Sequence, residues 1–122
     1  MPAWAESACA EYAQRMPKGY ELRRVNLKPE RLPALLPKSA QLVALDEHGK
    51  DLSTVQFSKL LQTETAFVIG AADGLDEALK ARAKLLLRLS SLTLPHALAQ
   101  VVLVEQIYRA ATLLTGHPYH RA

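Results

Sequence analysis

The sequence has a single cysteine, Cys9, so no disulfide bond can form within the chain. An unpaired cysteine between two alanines is typical of a small packing residue in a protein of a reducing compartment. The first residues lack the basic and apolar segments of a secretory signal, and no uninterrupted apolar run approaches the roughly 20 residues that span a bilayer. These absences predict a cytoplasmic protein without a membrane-spanning segment.

Several signatures of enzyme chemistry are also missing. The histidines and the cysteine lack the spacing of metal ligands, so the sequence predicts no metal site. Neither a nucleophilic triad nor two carboxylates of a shared site can be recognised. Gly70 and Gly74 fit neither the dinucleotide fingerprint nor a phosphate-binding loop. They mark either an ordinary turn or a place where the backbone approaches a ligand closely.

Short apolar runs alternate with helical patterns along the 122 residues, 49% of which are hydrophobic. Because the runs are continuously apolar, they favour a mostly parallel sheet covered by helices on both faces. The length suits one α/β domain over residues 1–122. Strands are predicted over 21–27, 40–45, 65–69 and 84–89; helices are predicted from Pro2 to the Pro17 and Gly19 breakers, over 29–36, after the N-cap Ser53 to about residue 61, over 75–83 and over 95–114.

Charge is distributed unevenly along the chain. Residues 1–79 contain nine Lys or Arg and eleven Asp or Glu, whereas residues 80–122 contain six Lys or Arg and one acidic residue, Glu105. Three of the four histidines also lie in the second part. This asymmetry favours an anionic ligand or a polyanion near the last third, although cations that only solvate helix surfaces would give the same count.

The predicted last helix is apolar nearly all round, except for a stripe formed by Glu105, Arg109 and Thr112. A helix of this kind must be buried on more than one side. A chain of this size can hardly cover it alone, so burial of the remaining apolar surface by a second subunit is the simpler explanation. Glu105 and Arg109 are four residues apart, a spacing that forms intrahelical ion pairs. Arg109 is therefore either one half of a simple ion pair or a cation that Glu105 aims at an anion.

The C-terminal residues 117–122 contain two imidazoles, a phenol and a guanidinium. Terminal residues are often frayed. These groups are also those that stack on a base, bind a phosphate or move a proton.

Three motifs in the last third resemble the ribosomal large-subunit methyltransferase H family, part of the SPOUT superfamily of α/β-knot methyltransferases. They are Leu-Thr-Leu-Pro-His at 92–96, Val-Val-Leu-Val-Glu-Gln-Ile-Tyr-Arg at 101–109 and His-Pro-Tyr-His-Arg at 117–121. Earlier segments agree in order and spacing: the front helix from Pro2, Val-Ala-Leu-Asp-x-x-Gly at 43–49 and Phe-Val-Ile-Gly-x-x-x-Gly-Leu at 67–75. The resemblance covers nearly the whole chain.

The resemblance implies a homodimer that transfers a methyl group from S-adenosylmethionine to N3 of a pseudouridine in 23S rRNA within the ribosome. It also implies a C-terminal trefoil knot, which the rarity of knots would not predict. The implied cofactor contacts are Leu45, Gly70, Leu89, Ser90, Ser91, Leu92, Thr93 and Leu94. The residues implied to face the RNA and the reacting base are Arg109, Tyr119, His120 and Arg121.

The sequence departs from the family pattern in three places. The family's first strand would precede Met1, so the resemblance implies a sheet without its first strand. The segment between Leu27 and Ala40 is shorter than usual, and Ala71 replaces a common glycine. Two alternatives therefore stay open: a shortened, catalytically weak relative that binds ribosomal RNA or the cofactor without efficient turnover, and a small-molecule-binding α/β domain unrelated to RNA.

Overall fold

The computed structural model describes residues 1–26, 31, 36, 38–70 and 75–120, with only the backbone of residue 120. Its three strands form one parallel sheet in the order β2-β1-β3. The predicted α/β class with a parallel sheet is confirmed. The strands are β1 (Gln41–Asp51), β2 (Thr65–Val68) and β3 (Leu85–Arg88); the helices are α1 (Ala3–Gln14), α2 (Thr54–Leu60), α3 (Glu77–Arg82) and α4 (His96–Thr115), followed by a 3₁₀ turn (Pro118–His120).

Local signals in the sequence set the helix starts. The Ser53 hydroxyl accepts a hydrogen bond from the Gln56 backbone N–H (3.1 Å), and the Gln56 side chain accepts one from the Ser53 N–H (2.9 Å). This capping box satisfies two donors that α2 would otherwise leave unpaired. Pro95 precedes α4, and Gly116 ends it with a φ of 77°, a conformation that glycine adopts without strain. The predicted cap at Ser53 and the predicted start of the last helix are confirmed.

β1 is longer than the sequence predicted. Val43 pairs with Leu85 on β3 and Leu45 pairs with Leu87, but Lys50 pairs with Leu87 again. Residues 46–49 therefore bulge out of the ladder, and pairing resumes through Asp51. The predicted end at residue 45 was wrong because the apolar run stops there while the backbone hydrogen bonds continue.

The predicted strand over 21–27 was also wrong for residues 21–26, which contain no strand. Arg24 instead donates two hydrogen bonds to the Glu6 carboxylate on α1, at 3.0 and 3.2 Å. The segment is thus attached by side chains to α1 rather than by a backbone ladder to the sheet. Most of the predicted helix over 29–36 lies outside the described residues.

The core lies between the sheet and two helices, α2 and α4. Its buried cluster comprises Val43, Phe57, Leu87, Leu103, Ile107 and Ala110. Leu42 and Ala44 alternate with Val43 along β1 and are buried as well, so both faces of the sheet are covered. By length and composition α4 could cross a membrane, the one such helix among the described residues. Its packing against α1 and α2 identifies it as a core helix.

Candidate functional site

The predicted cofactor residues converge on one edge of the sheet. Leu45 lies in β1, Gly70 follows β2 by two residues, and residues 89–94 follow β3 directly. Ala44 pairs with Val68 and Leu45 pairs with Leu87, so Leu45 lies between the carboxyl ends of both outer strands. In open α/β sheets this edge is where ligands bind.

The loop of residues 89–94 offers polar backbone groups at that edge. Its Leu92 N–H donates to the Ser90 hydroxyl at 2.9 Å. Within the described part of the chain, the backbone N–H and C=O groups of residues 89–94 form no hydrogen bonds with other backbone groups. Residues 91–93 are exposed, so these backbone groups are open to water or to a ligand that presents both donors and acceptors. Residues 71–74 of the glycine turn lie outside the described residues, which leaves Gly70 as its described member.

In the described part of the chain, one cavity beside the sheet reaches this edge and another does not. A cavity of about 90 Å³ lies between the end of β3, α2 and α4, and its walls include Ser53, Leu89 and Gln106. A cavity of about 220 Å³ lies at the opposite edge, beside Lys38 and Arg82, and contacts none of the predicted cofactor residues. The larger volume does not identify the site, because the unpaired backbone groups and the strand ends lie at the carboxyl edge.

A second assembly, the tail cluster, joins the C-terminal turn to α1 and α4; its members are Tyr12, Glu105, Tyr108, Arg109 and Tyr119. Oε2 of Glu105 accepts hydrogen bonds from Arg109 Nη2 (2.8 Å), Arg109 Nε (3.1 Å) and the Tyr119 hydroxyl (2.8 Å). The phenol oxygens of Tyr119 and Tyr12 are 3.2 Å apart. The Tyr108 and Tyr119 rings meet edge to face, 4.6 Å between centroids. Tyr119 is therefore packed against α1 and α4 and not frayed, whereas residues 115–118 before it are exposed.

Electrostatics keep two groups of the tail cluster, Tyr119 and Arg109, protonated as hydrogen-bond donors. Burial, followed by the hydrogen bonds with Tyr12 and Glu105, raises the pKa of the Tyr119 phenol well above its ordinary value. The hydrogen bond to Glu105 likewise raises the pKa of Arg109, whose guanidinium carbon lies 5.2 Å from the centre of the Tyr119 ring. At neutral pH Tyr119 can donate a proton in a hydrogen bond but cannot act as a base.

The structure brings together two of the four residues predicted to face the substrate, Arg109 and Tyr119. For His120 only the backbone is described, and Arg121 lies outside the described residues. The Glu105–Arg109 ion pair is formed as its spacing predicted. Arg109 Nη1 has no hydrogen-bond partner in the described ranges, so this edge of the guanidinium is left for an anion.

Sequence reasoning left three members of the tail cluster out of the site: Tyr12, Glu105 and Tyr108. Glu105 was noted as part of the polar stripe, and its place as the only acidic residue after position 79 was the available signal. Tyr12 gave no signal, because its partner Tyr119 is 107 residues away in sequence. No three potential metal ligands cluster in the part of the chain that the structure describes.

A family model described as "Predicted SPOUT methyltransferase" matches residues 1–120. The chain therefore belongs to the SPOUT methyltransferases. Within that class it is 46% identical to ribosomal RNA large subunit methyltransferase H of Ralstonia pickettii (strain 12J), over 99% of this chain and 92% of the relative. The protein of the same name from Janthinobacterium sp. (strain Marseille) is 44% identical, with the same coverage. The predicted family is confirmed.

A solved structure is also similar: the SpoU methyltransferase AviRb from Streptomyces viridochromogenes, crystallised in complex with AdoMet. The identity is 25%, the TM-score is 0.48, and the match covers 66% of this chain and 30% of that one.

This chain is shorter than its relatives within the matched span. The alignment with methyltransferase H of Burkholderia mallei (strain SAVP1) has 145 positions and includes the whole of this chain, which has 122 residues. The difference leaves 23 positions of that relative without a counterpart here. The predicted shortening relative to the family therefore amounts to 23 positions against this relative.

Proposed function

We propose that this protein methylates N3 of a pseudouridine in 23S rRNA, with S-adenosylmethionine as the methyl donor. The observation that carries the proposal is the convergence of Leu45, Gly70 and the loop of residues 89–94 at the carboxyl edge of the sheet. Two observations support a cofactor site there: ligands of open α/β sheets bind at this edge, and the chain is 46% identical to a ribosomal RNA large subunit methyltransferase H.

The proposed cofactor contacts are Leu45, Gly70 and the whole loop, Leu89, Ser90, Ser91, Leu92, Thr93 and Leu94. Gly70 lets the backbone come close to the cofactor, because it has no Cβ. The loop supplies N–H and C=O groups that lack backbone partners. Bound there, S-adenosylmethionine supplies an electrophilic methyl group. Fixed backbone groups mainly contribute positioning, a large part of catalysis in a two-substrate transfer.

The tail supplies charge and hydrogen-bond donors for the reacting base. N3 of pseudouridine carries a weakly acidic proton, which must leave as the N3–methyl bond forms. The methyl–sulfur bond would break at the same time, its electron pair would stay on sulfur, and S-adenosylhomocysteine would be the leaving group. The positive charge of Arg109 stabilises the negative charge that develops on the base as the proton departs. Tyr119 is not the base, because its pKa is raised. Its single O–H donates to Glu105 and so holds the tail in place. His120 is the candidate proton acceptor in the tail, with water as the alternative, and Arg121 adds a further cation for RNA phosphates.

We also propose that the chain acts as a homodimer in the cytoplasm. Trp4 on α1 and Leu98 on α4 are 55% and 37% exposed in the single chain, although both are large and apolar. Helices α1 and α4 pack side by side, so an apolar surface on this pair suits a second copy. A trefoil knot formed by the loops after the late strands remains a prediction.

Calorimetry and mass spectrometry test the proposal. The protein should bind S-adenosylmethionine in solution, and digested rRNA from 70S ribosomes lacking the modification should gain one methyl group at a pseudouridine. Absence of binding at millimolar S-adenosylmethionine would exclude the proposed reaction. The variant Gly70→Val tests the location of the site. It places a branched side chain at the carboxyl edge of the sheet, the proposed cofactor edge, and should weaken S-adenosylmethionine binding while the protein stays folded.

The second candidate is a relative that binds without efficient turnover. The 23 positions missing relative to the Burkholderia mallei protein favour it, because RNA contacts can be lost with them. If the folded protein binds S-adenosylmethionine but transfers no methyl group to ribosomes, this second function is the correct one.

A further inference from the structure

A continuous line of hydrogen bonds connects the start of α2 to the C-terminal turn. The Thr54 hydroxyl donates to Gln106 Oε1 (3.0 Å), and Gln106 Nε2 donates to Glu105 Oε1 (2.8 Å). The other carboxylate oxygen, Oε2, holds Tyr119 and Arg109. Gln106 is therefore the link between α2 and the tail cluster.

Electrostatics fix the orientation of the Gln106 amide. If the amide were flipped, its oxygen would face Oε1 of Glu105, and two acceptors would repel each other. The Thr54 hydroxyl meets the amide oxygen on the opposite side. Because each end of the amide has one suitable partner, Gln106 holds the carboxylate plane of Glu105 in one rotation.

Gln106 also borders the proposed cofactor edge. It lines the cavity of about 90 Å³ whose walls include Leu89 and Ser53. Leu89 begins the proposed cofactor loop, and Ser53 caps the helix that carries Thr54 at its first position. The Gln106 side chain thus lies beside the cavity at the start of the loop and also hydrogen-bonds to the Glu105 carboxylate of the tail cluster.

We propose that Gln106 is a positioning residue for methyl transfer: it sets the rotation of Glu105 and thereby the placement of Tyr119 and Arg109 relative to the cofactor edge. This proposal rests on the proposed function. Without Gln106, Oε1 of Glu105 loses a donor and the carboxylate can rotate. Tyr119 and Arg109 would then bind a carboxylate that occupies several orientations, while the cofactor loop itself would be unchanged.

The first test needs neither cofactor nor RNA. In the full chain, Gln106→Met removes both hydrogen bonds at nearly constant volume. The backbone N–H of His117 bonds to the Thr112 carbonyl, and that of Tyr119 bonds to the His117 ring, so both report docking of the tail by hydrogen–deuterium exchange. We expect exchange in the peptide 117–120 to accelerate roughly tenfold, as for one charge-assisted hydrogen bond. Gln100→Met, the same substitution on the exposed part of α4, is the matched control and should leave that peptide protected.

The second test separates positioning from folding by varying Thr54. Thr54→Val removes the hydroxyl, and we expect roughly threefold faster exchange of the tail peptide and a similar fall in kcat, with KM for S-adenosylmethionine unchanged. Thr54→Ser keeps the hydroxyl and should restore the protection. The double variant with Gln106→Met should be no worse than Gln106→Met alone, because both act through one link.

Opposite results would overturn the inference. Full protection of the tail in Gln106→Met, or additive effects in the double variant, would show that Gln106 does not position Glu105. If Gln106→Met fails to fold, the comparison of Thr54→Val with Thr54→Ser still decides the point. A wild-type chain that never methylates rRNA would overturn the proposed function and the catalytic half of this inference together, whereas the exchange measurements alone decide whether the link exists.

Discussion

The hydroxyl of Tyr119 donates a hydrogen bond of 2.8 Å to Oε2 of Glu105, which also accepts from Arg109. One carboxylate oxygen therefore joins the C-terminal turn to the middle of α4. The substrate-facing role proposed for the tail depends on this joint, because a group that acts on a base must be held in place.

Tyr119→Phe should lower the free energy of unfolding by about 1 kcal/mol, since it removes the hydrogen bond to the half-buried Glu105 carboxylate and the contact with the Tyr12 hydroxyl but leaves the ring packing intact. Urea unfolding followed by circular dichroism measures the change. The control is Tyr20→Phe. The Tyr20 hydroxyl makes no hydrogen bond within the described residues, so its removal should leave the free energy of unfolding nearly unchanged. Equal effects of the two substitutions would contradict the role given to the Tyr119 hydroxyl.

Alkaline pH should weaken the fold through Tyr119. Its pKa is raised in the folded state, so its contribution to stability is fully present below about pH 10, the ordinary value for tyrosine, and is lost as the pH rises towards the folded-state pKa. Free energies of unfolding at pH 9 and pH 11 should therefore differ more for the wild type than for Tyr119→Phe. A difference of the same size in both proteins would show that other groups cause the loss.

Gly49→Ala should destabilise the protein by roughly 1–3 kcal/mol, the usual cost of overpacking. A Cβ at position 49 would lie 2.7 Å from backbone atoms of Leu86, which cannot move aside as a flexible side chain can. The thermal unfolding midpoint measures the effect. His48→Ala, in the same bulge with an 82% exposed side chain, should stay within about 0.5 kcal/mol of wild type.

Deletion of residues 119–122 should reduce methyl transfer by roughly 100-fold or more, because the groups that position the base are removed. The dissociation constant for S-adenosylmethionine should change little, since the proposed cofactor contacts are Leu45, Gly70 and residues 89–94. Calorimetry and rRNA mass spectrometry measure the two quantities separately. An active deletion variant would remove the tail from the proposed site.

Leu98→Asp should shift the protein from dimer to monomer in light scattering, because it places a charge on an exposed apolar position of α4. Val55→Asp is the matched control: Val55 is 57% exposed on α2. Val104 would be a poor choice for this test, since it is only 6% exposed and belongs to the core of the single chain. An unchanged molar mass for Leu98→Asp would place the interface elsewhere or exclude it.

The parts of the fold that the sequence predicted depend on neighbours in the chain. The capping box of Ser53 and Gln56, the start of α4 after Pro95 and the apolar runs of β2 and β3 are local signals. The parts that it missed depend on distant partners. The extension of β1 beyond residue 45 requires pairing with β3, some 40 positions later, and the Tyr12–Tyr119 contact joins the two ends of the chain.

The same limit applies to the candidate site. The motifs predicted the candidate site residues through their family resemblance. The spacing of Glu105 and Arg109 alone predicted the ion pair between them. The other two partners of that carboxylate, Tyr119 and Gln106, could not be predicted, because side-chain rotation and the fold of the tail decide them.

The bulge of residues 46–49 has a practical use. His48 lies at its exposed tip, three residues from Leu45 and therefore beside the proposed cofactor edge. Cys9, the chain's own cysteine, is fully buried, and burial raises the pKa of its thiol, so it reacts slowly with thiol reagents. His48→Cys would accordingly accept a fluorescent label at one position without removal of the native cysteine, and cofactor binding could be followed optically on an otherwise unaltered chain.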